Sequence, residues 1–525
     1  MRDSVARFND RLVVLALAVW GACNSPQHRA SRRDQDTVIV ARALDAVTLD
    51  PGAVYDSESL EIVEQVFEGL VRWQPGTTDI APSLAVSWTV ADGGLRWTFA
   101  LRRNVRFHDG SLCDAQAVVA SFARLRNNAA IGWRPFRDVE QIVALDDATV
   151  QFVLKRPYAP FLANLATPGA SIVSPKAVTQ WGLDVGRHPS GTGAFRFGRW
   201  DLGQRIVLTR NTLYWGERPY VARLIFEVIS DPAQRIIELE TGSADIALGM
   251  LPHERSFVQL HPNLQLYESA TNNVSYLAMN TQRPPLDDLR VRRAIVAAID
   301  QTPIIKIAFQ GHAEPARGPL PPMQWPALKG APSRYNDALA RGLLKQANVD
   351  DQASGSRPLR LYIPNQPRAY LVDPERVGSM IQAALAAVGL EVEVVAQPFA
   401  QHIVSVEQGA HDLCLLGWVG DNGDPDNFLF DQFATAGTEP PHPRNFAFLR
   451  DPQLDKLLQA GQSTIAQHAR VPYYQQAQQR ILDLAPWAPL AHSRYVVALR
   501  SDWRGIVLTP TGHVLYSLLH RIEAP

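Results

Sequence analysis

Between residues 359 and 416 the apolar period switches from two residues to about 3.6 and back, twice over. Leu359, Leu361 and Ile363 alternate as a strand. Residues 374–388 then set Val377, Ile381, Leu385 and Val388 on one helical face, with Gly389 just past the end. Leu390, Val392 and Val394 alternate with Glu391 and Glu393, a second helical stretch follows, and residues 413–416 form an apolar run of buried-strand length. Strand, helix, strand, helix, strand predicts a parallel sheet, because each helix returns the chain to the edge it left. In such sheets ligands gather beyond the carboxyl ends of the strands. Arg368 follows one strand by a few residues and Asp421 follows another, so two opposite charges are expected at one sheet edge.

The stretch after the last of these strands carries the chemistry. Gly417 and Trp418 close the apolar run, Val419 and Gly420 follow, and Asp421, Asp424 and Asp426 then cluster with Gly423 around Pro425. Acids leaving a buried strand beside a large aromatic suit the holding of a cation. The same composition also makes an ordinary solvated turn, and on residue types alone both readings stand. A calcium loop fits worse. Counting from Asp421, Gly423 sits where the third ligand belongs, Asp426 where the invariant glycine belongs and Gln432 where the closing glutamate belongs.

A chain of 525 residues exceeds one ordinary domain, and at roughly 150 residues per domain it predicts about three lobes. The net charge of -1 gives no electrostatic reason to expect nucleic acid as a partner. Arg2, Arg7 and Arg11 precede an apolar run over residues 12–20, then Gly21, Ala22 and Cys23. A charged start, a short hydrophobic core and small residues at its end read as an export signal, with a core too short to span a bilayer. Residues 24–36 are polar and Arg-rich, as a flexible tether would be. Cys113 and Cys414 lie far apart in sequence, which favours two separate buried thiols over a disulfide.

Along the rest of the chain, residues 37–42 read as a strand, and Ser57 as the cap of a helix with Leu60, Val63, Phe67 and Leu70 on one face. Residues 85–153 alternate short strands around a helix at 115–125. His108, Asp109 and Gly110 read as a hairpin turn, since no nucleophile lies nearby in sequence. The glycines of residues 188–200 are no nucleotide loop, because Arg196 stands where a third glycine belongs. A strand at 274–280, a Pro-Pro turn and a helix carrying Ala294, Ile295, Ala298 and Ile299 open a second lobe. Residues 315–332 read as a long ordered loop, and residues 471–499 as helical, with a short return to the first lobe near His492.

Four ordered segments carry a resemblance: Phe67-Glu68-Gly69-Leu70, the segment 101–125, the turn Gly191-Thr192-Gly193-Ala194-Phe195 with alanine where the pattern has proline, and Gly417-Trp418-x-x-Asp421. From Thr37 onward the chain resembles the family 5 extracellular solute-binding proteins of ABC importers, which bind dipeptides, oligopeptides or nickel, and it stands nearest the dipeptide branch. The resemblance implies a periplasmic binding protein-like α/β fold: two α/β lobes around a ligand cleft, with an additional subdomain in the first, three lobes in all. Lobe I would comprise residues 37–273 and 492–525, with an inserted subdomain at about 63–195, and lobe II residues 274–491. Arg368 and Tyr370 match the position whose arginine meets a ligand carboxylate, and Asp421 would meet the ammonium. Gly417, Trp418, Val419 and Gly420 would line the ligand backbone, and Tyr55, Asp56 and Ser57 would face the cleft from lobe I. Cys23 would be lipidated after signal cleavage, although Trp20 stands where that motif has leucine. The implied partners are a short peptide and the permease and ATPase subunits of an inner-membrane ABC transporter, served by a monomer with no cofactor and no metal. An enzyme is the competing class. Its usual marks are missing: 13 histidines are scattered, and neither HExxH nor CxxC occurs. Within the family, binders of longer peptides, haem or sugar remain as alternatives; a nickel binder fits worse, because Arg368 beside a dication is unfavourable.

Overall fold

The computed structural model describes residues 36–54, 56–127, 135–250, 252–330, 335–349, 357–440, 443–509 and 511–522. The expected parallel sheet is present, with the strand Leu359–Pro364 between Val392–Gln397 and Leu413–Val419 and parallel to both. The helix Pro374–Ala387 covers it. Asp373 caps that helix by accepting from Arg376 N, Val377, Ile381 and Leu385 are fully buried, and Gly389 at φ 97° turns the chain out of it. Each such aliphatic contributes about 1.5–3 kcal/mol by leaving water.

Beyond Leu413–Val419 the sheet continues antiparallel, first into Asn273–Met279 and then into the strand Trp487–Arg500. This last strand is the correction to the helical reading of residues 471–499. The helix Gln467–Leu484 ends where Ala485 adopts φ 47° and Pro486 follows, a residue that has no N–H to continue the ladder. From Trp487 the chain is extended. The first half of Trp487–Arg500 pairs with Asn273–Met279 and the second half with Leu264–Ala270, so one strand runs through both lobes. In lobe I the sheet then passes through Ile246–Ala247, Thr37–Arg42, Arg223–Val228, Arg205–Arg210 and Phe195–Asp201.

Apolar side chains form separate cores. Leu361, Ile363, Leu385 and Leu415 pack on one side of the second-lobe sheet, with Tyr276, Leu416, Phe428 and Trp487 on the other. Val38, Val40, Ile62 and Phe226 centre the first lobe. A third core, around Trp97, Phe99, Phe122 and Phe152, belongs to an inserted four-stranded sheet of Ala85–Ala91, Arg96–Leu101, Thr149–Leu154 and Val139–Asp146. Its rings meet edge to face, Phe122 and Phe152 at 5.1 Å. Cys113 and Cys414 are separate buried thiols.

Two local expectations shift by a residue or more. The helix Ser57–Val66 is capped by Asp56, whose Oδ1 accepts from Ser59 N at 2.8 Å, and Ser57 is its first residue. The helix also stops before Phe67 and Leu70, so its buried face is Ile62, Val63 and Val66. The strand Leu413–Val419 likewise runs past Gly417 and Trp418.

Candidate functional site

Because Leu359–Pro364 and Leu413–Val419 are parallel, the loops that carry Arg368 and Asp421 leave the same edge of one sheet. The last residues of Leu413–Val419 are bonded on one side only among the described residues. Asn273–Met279 pairs with the whole strand, from Asn273 opposite Val419 to Met279 opposite Leu413, whereas Leu359–Pro364 reaches only Leu413 and Cys414. The backbone around Gly417 and Trp418 therefore offers a strand edge at the mouth of the sheet.

Tyr370 lies against that edge. A Cβ on residue 417 would fall 2.2 Å from Tyr370 Cδ2 and 2.6 Å from the Val274 carbonyl, so only glycine fits there. The phenol is buried, which pushes its pKa up, while the Arg368 guanidinium beside it pulls the other way. Arg368 is held in three ways, one of them its hydrogen bond to the Tyr370 hydroxyl. Its backbone exchanges two hydrogen bonds with Leu371 at 2.9 Å, and its guanidinium carbon sits 3.6 Å above the Phe399 ring centre. A guanidinium with its flat face on an aromatic keeps its N–H edge for a partner.

The acidic loop divides its three carboxylates. Asp421 is exposed, its N–H donates to Asn427 Oδ1 at 2.9 Å, and Asn427 Nδ2 donates back to Asp421 Oδ2 at 3.3 Å. The same Asn427 oxygen accepts from Trp418 Nε1 at 3.0 Å, and the Trp418 ring has Arg444 at 5.0 Å. Asp424 instead forms a buried two-pronged pair with Arg470, at 2.6 and 2.7 Å. Asp426 is buried, accepts from Gln462 Nε2 at 3.0 Å and Tyr158 Oη at 3.4 Å, and has its pKa pushed up to about 8 by burial first and by Asp424 and Asp431 second. One exposed carboxylate and two structural ones do not make a cation cage. Among the described residues no group of three or more His, Cys, Asp or Glu side chains is placed to hold a metal.

The inserted subdomain closes over this loop. Asn422 Nδ2 donates to Asn164 Oδ1 at 2.5 Å, Ala159 N donates to Gln462 O at 2.7 Å, and a Cβ on Gly423 would fall 2.5 Å from Thr78 Cβ. From lobe I, Asp56 is occupied as a helix cap and Ser57 is exposed. Tyr55 and Cys23 lie outside the described residues. Sequence reasoning missed Asn427 and Phe399, which hold Asp421 and Arg368 in place. An Asn in the first turn of a helix and a Phe after a proline are too common to have stood out.

Two α/β lobes joined by paired strands, an inserted subdomain and an open sheet edge flanked by fixed charges define a two-lobed solute-binding protein. The chain belongs to the bacterial extracellular solute-binding proteins, family 5, whose middle-region model matches residues 79–440. It is 32% identical over 492 residues to the dipeptide-binding protein of Escherichia coli (strain K12), covering 88% of this chain and 89% of that one. Di/tripeptide-binding protein 2 of Pseudomonas aeruginosa (strain UCBPP-PA14) is 32% identical over 480 residues, or 85% and 87% of the two chains. The structure of the ABC transporter-associated periplasmic binding protein DppA from Helicobacter pylori, in complex with peptide STSA, superposes with a TM-score of 0.79 at 29% identity, covering 92% of this chain and 98% of that one. Among the described residues no helix is long and apolar enough to cross a membrane.

Proposed function

We propose that this protein captures short peptides, dipeptides first, in the cell envelope and delivers them to the permease and ATPase subunits of an ABC importer. The observation that carries this reading is the pairing of Arg368 and Asp421 on loops from one sheet edge. A zwitterion leaving water needs both ends neutralised, since an unpaired buried charge costs several kcal/mol. The Arg368 fork suits the carboxylate and Asp421 suits the ammonium. Between them the free edge near Gly417 and Val419 bonds an extended peptide as an added strand. The names of the peptide-binding relatives support the same reading.

In this reading lobe I is residues 37–273 and 492–525, with the insertion at about 63–195, and lobe II is residues 274–491. The separate cores on either side of Trp487–Arg500 support that division. The protein acts as a monomer, catalyses no reaction, and is anchored through a lipid on Cys23, a reading that rests on the charged, apolar and small residues before it.

The peptide STSA in the Helicobacter pylori structure favours a second reading, with longer peptides as ligands. Calorimetric titration with a free dipeptide, its C-terminal amide and a pentapeptide separates the two. An extended peptide grows by about 3.3–3.6 Å per residue, so two fixed anchors admit one length well. Preference for the free dipeptide, lost in Arg368→Ala, is the expected result. Preference for the pentapeptide, or indifference to amidation, moves the assignment to oligopeptides.

A further inference from the structure

Two successive asparagines stand where the chain crosses between lobes, and they face different tasks. Leu264–Ala270 and Asn273–Met279 pair with opposite halves of Trp487–Arg500, and the two residues between them, Thr271 and Asn272, join the backbone ladder of neither half, Thr271 reaching Ser493 O only through its hydroxyl. Asn273 stitches the crossings together: it accepts from Ser493 N at 3.0 Å, donates to Ser493 O at 2.8 Å, and its carbonyl meets His492 Nδ1 at 2.7 Å. Asn272, fully buried, turns to the acidic loop instead.

Its bonds fall on both sides of Asp421. The Asn272 carbonyl accepts from Gly420 N at 2.7 Å, and its Nδ2 donates to Asn422 O at 2.9 Å. Its Oδ1 accepts from Gln324 Nε2 at 2.9 Å, which fixes the amide's orientation. The approach is so close that a Cβ on Gly420 would fall 2.2 Å from Asn272 Nδ2. The exposed carboxylate is thus bracketed, one residue before and one after, by a residue whose own backbone lies between the two ladders of the crossing strand while bonding Gly420. Hinge motion is absorbed at a few such positions, and a rotation at Asn272 moves both brackets together.

We propose that Asn272 is a positioning residue that couples the angle between the lobes to the placement of Asp421, so that opening withdraws the ammonium anchor and closing presents it. The assignment rests on the peptide reading of the site. It goes further in naming the residue that ties the amine end of the ligand, at Asp421, to the hinge; the Arg368 loop reaches the crossing by a separate bond, Ser493 Oγ to Ala369 O, which Asn272 does not touch.

The test uses dialanine, N-acetyl-dialanine and dialanine amide, titrated into the full chain and into Asn272→Ala, Asn272→Asp and Gly420→Ala. Wild type is expected to discriminate against both the acetylated and the amidated ligand. Asn272→Ala should lose at least tenfold of the discrimination against N-acetyl-dialanine while keeping that against the amide within about twofold. Gly420→Ala, which breaks the same bracket from the loop side, should reproduce this split, and isosteric Asn272→Asp gives the readout if the alanine variant does not fold. Equal losses at both ends, or amine discrimination untouched, overturn the coupling alone. A wild type that ignores acetylation overturns the coupling together with the reading it rests on.

Discussion

Tyr370 occupies the space that any side chain on residue 417 would fill, its Cδ2 lying 2.2 Å from where a Cβ would be. Gly417→Ala must displace either that ring or the Val274 carbonyl at 2.6 Å. Overpacking of this kind costs about 1–3 kcal/mol. Denaturant unfolding should read that loss. Calorimetry should show the free dipeptide losing more affinity than its amide, because the ring that moves is the one against Arg368.

The three acids of the loop should separate by assay. Asp421→Ala is expected to weaken dipeptide binding by roughly 2–5 kcal/mol and to leave unfolding within about 0.5 kcal/mol of wild type. Asp424→Ala strands the buried Arg470 and should cost about 3–5 kcal/mol of stability. Calorimetry and chemical denaturation on the same two variants decide the matter; equal binding losses would mean that the loop acts through its overall field.

Asp426 should give the protein an alkaline sensitivity. Its folded pKa, about 8, lies above the ordinary carboxylate value, so the folded state holds a proton that the unfolded state has released. That contribution is complete below the unfolded pKa and is lost as pH rises through about 8, with a slope of at most about 1.4 kcal/mol per pH unit. Buried His108, His402, His411 and His492 are each held down to about 4 and work oppositely, adding stability as pH rises from about 4 to the ordinary histidine value. Buried His513, whose pKa is raised, contributes stability that is likewise lost as pH rises, so between pH 6.5 and 8 Asp426 is isolated only as the difference between wild type and Asp426→Asn. Melting temperatures should fall with pH in wild type over that window and fall less in the variant. Parallel curves would show that Asp426 is already ionised in the folded state.

Closure follows from the crossings. Small-angle scattering should give a smaller radius of gyration with saturating dipeptide than without, and no change at proven saturation would remove hinge closure from the mechanism.

The second-lobe sheet was legible because its helices keep one apolar face and its strands alternate, as at Val377, Ile381 and Leu385. The strand Trp487–Arg500 was not, because most of its residues are buried on both faces and it carries no polar alternation to set it apart from the helix before it. The edge shared by Arg368 and Asp421 could be reasoned from strand order alone. The different fates of Asp421, Asp424 and Asp426 could not. Asp424 is neutralised by Arg470 and Asp426 is buried against Gln462, partners 46 and 36 residues further on. Asn272 left no mark in the sequence, since its part depends on the loop that folds over it.

The strand shared by both lobes also sets the order in which this chain matures. Asn273–Met279 and Leu264–Ala270 wait for the two halves of Trp487–Arg500, which lies near the end of the sequence. Contacts that distant close slowly, and until they close neither sheet is complete. A nascent chain is therefore still unfinished when most of it has been synthesised, and its two lobes are completed together by one late strand.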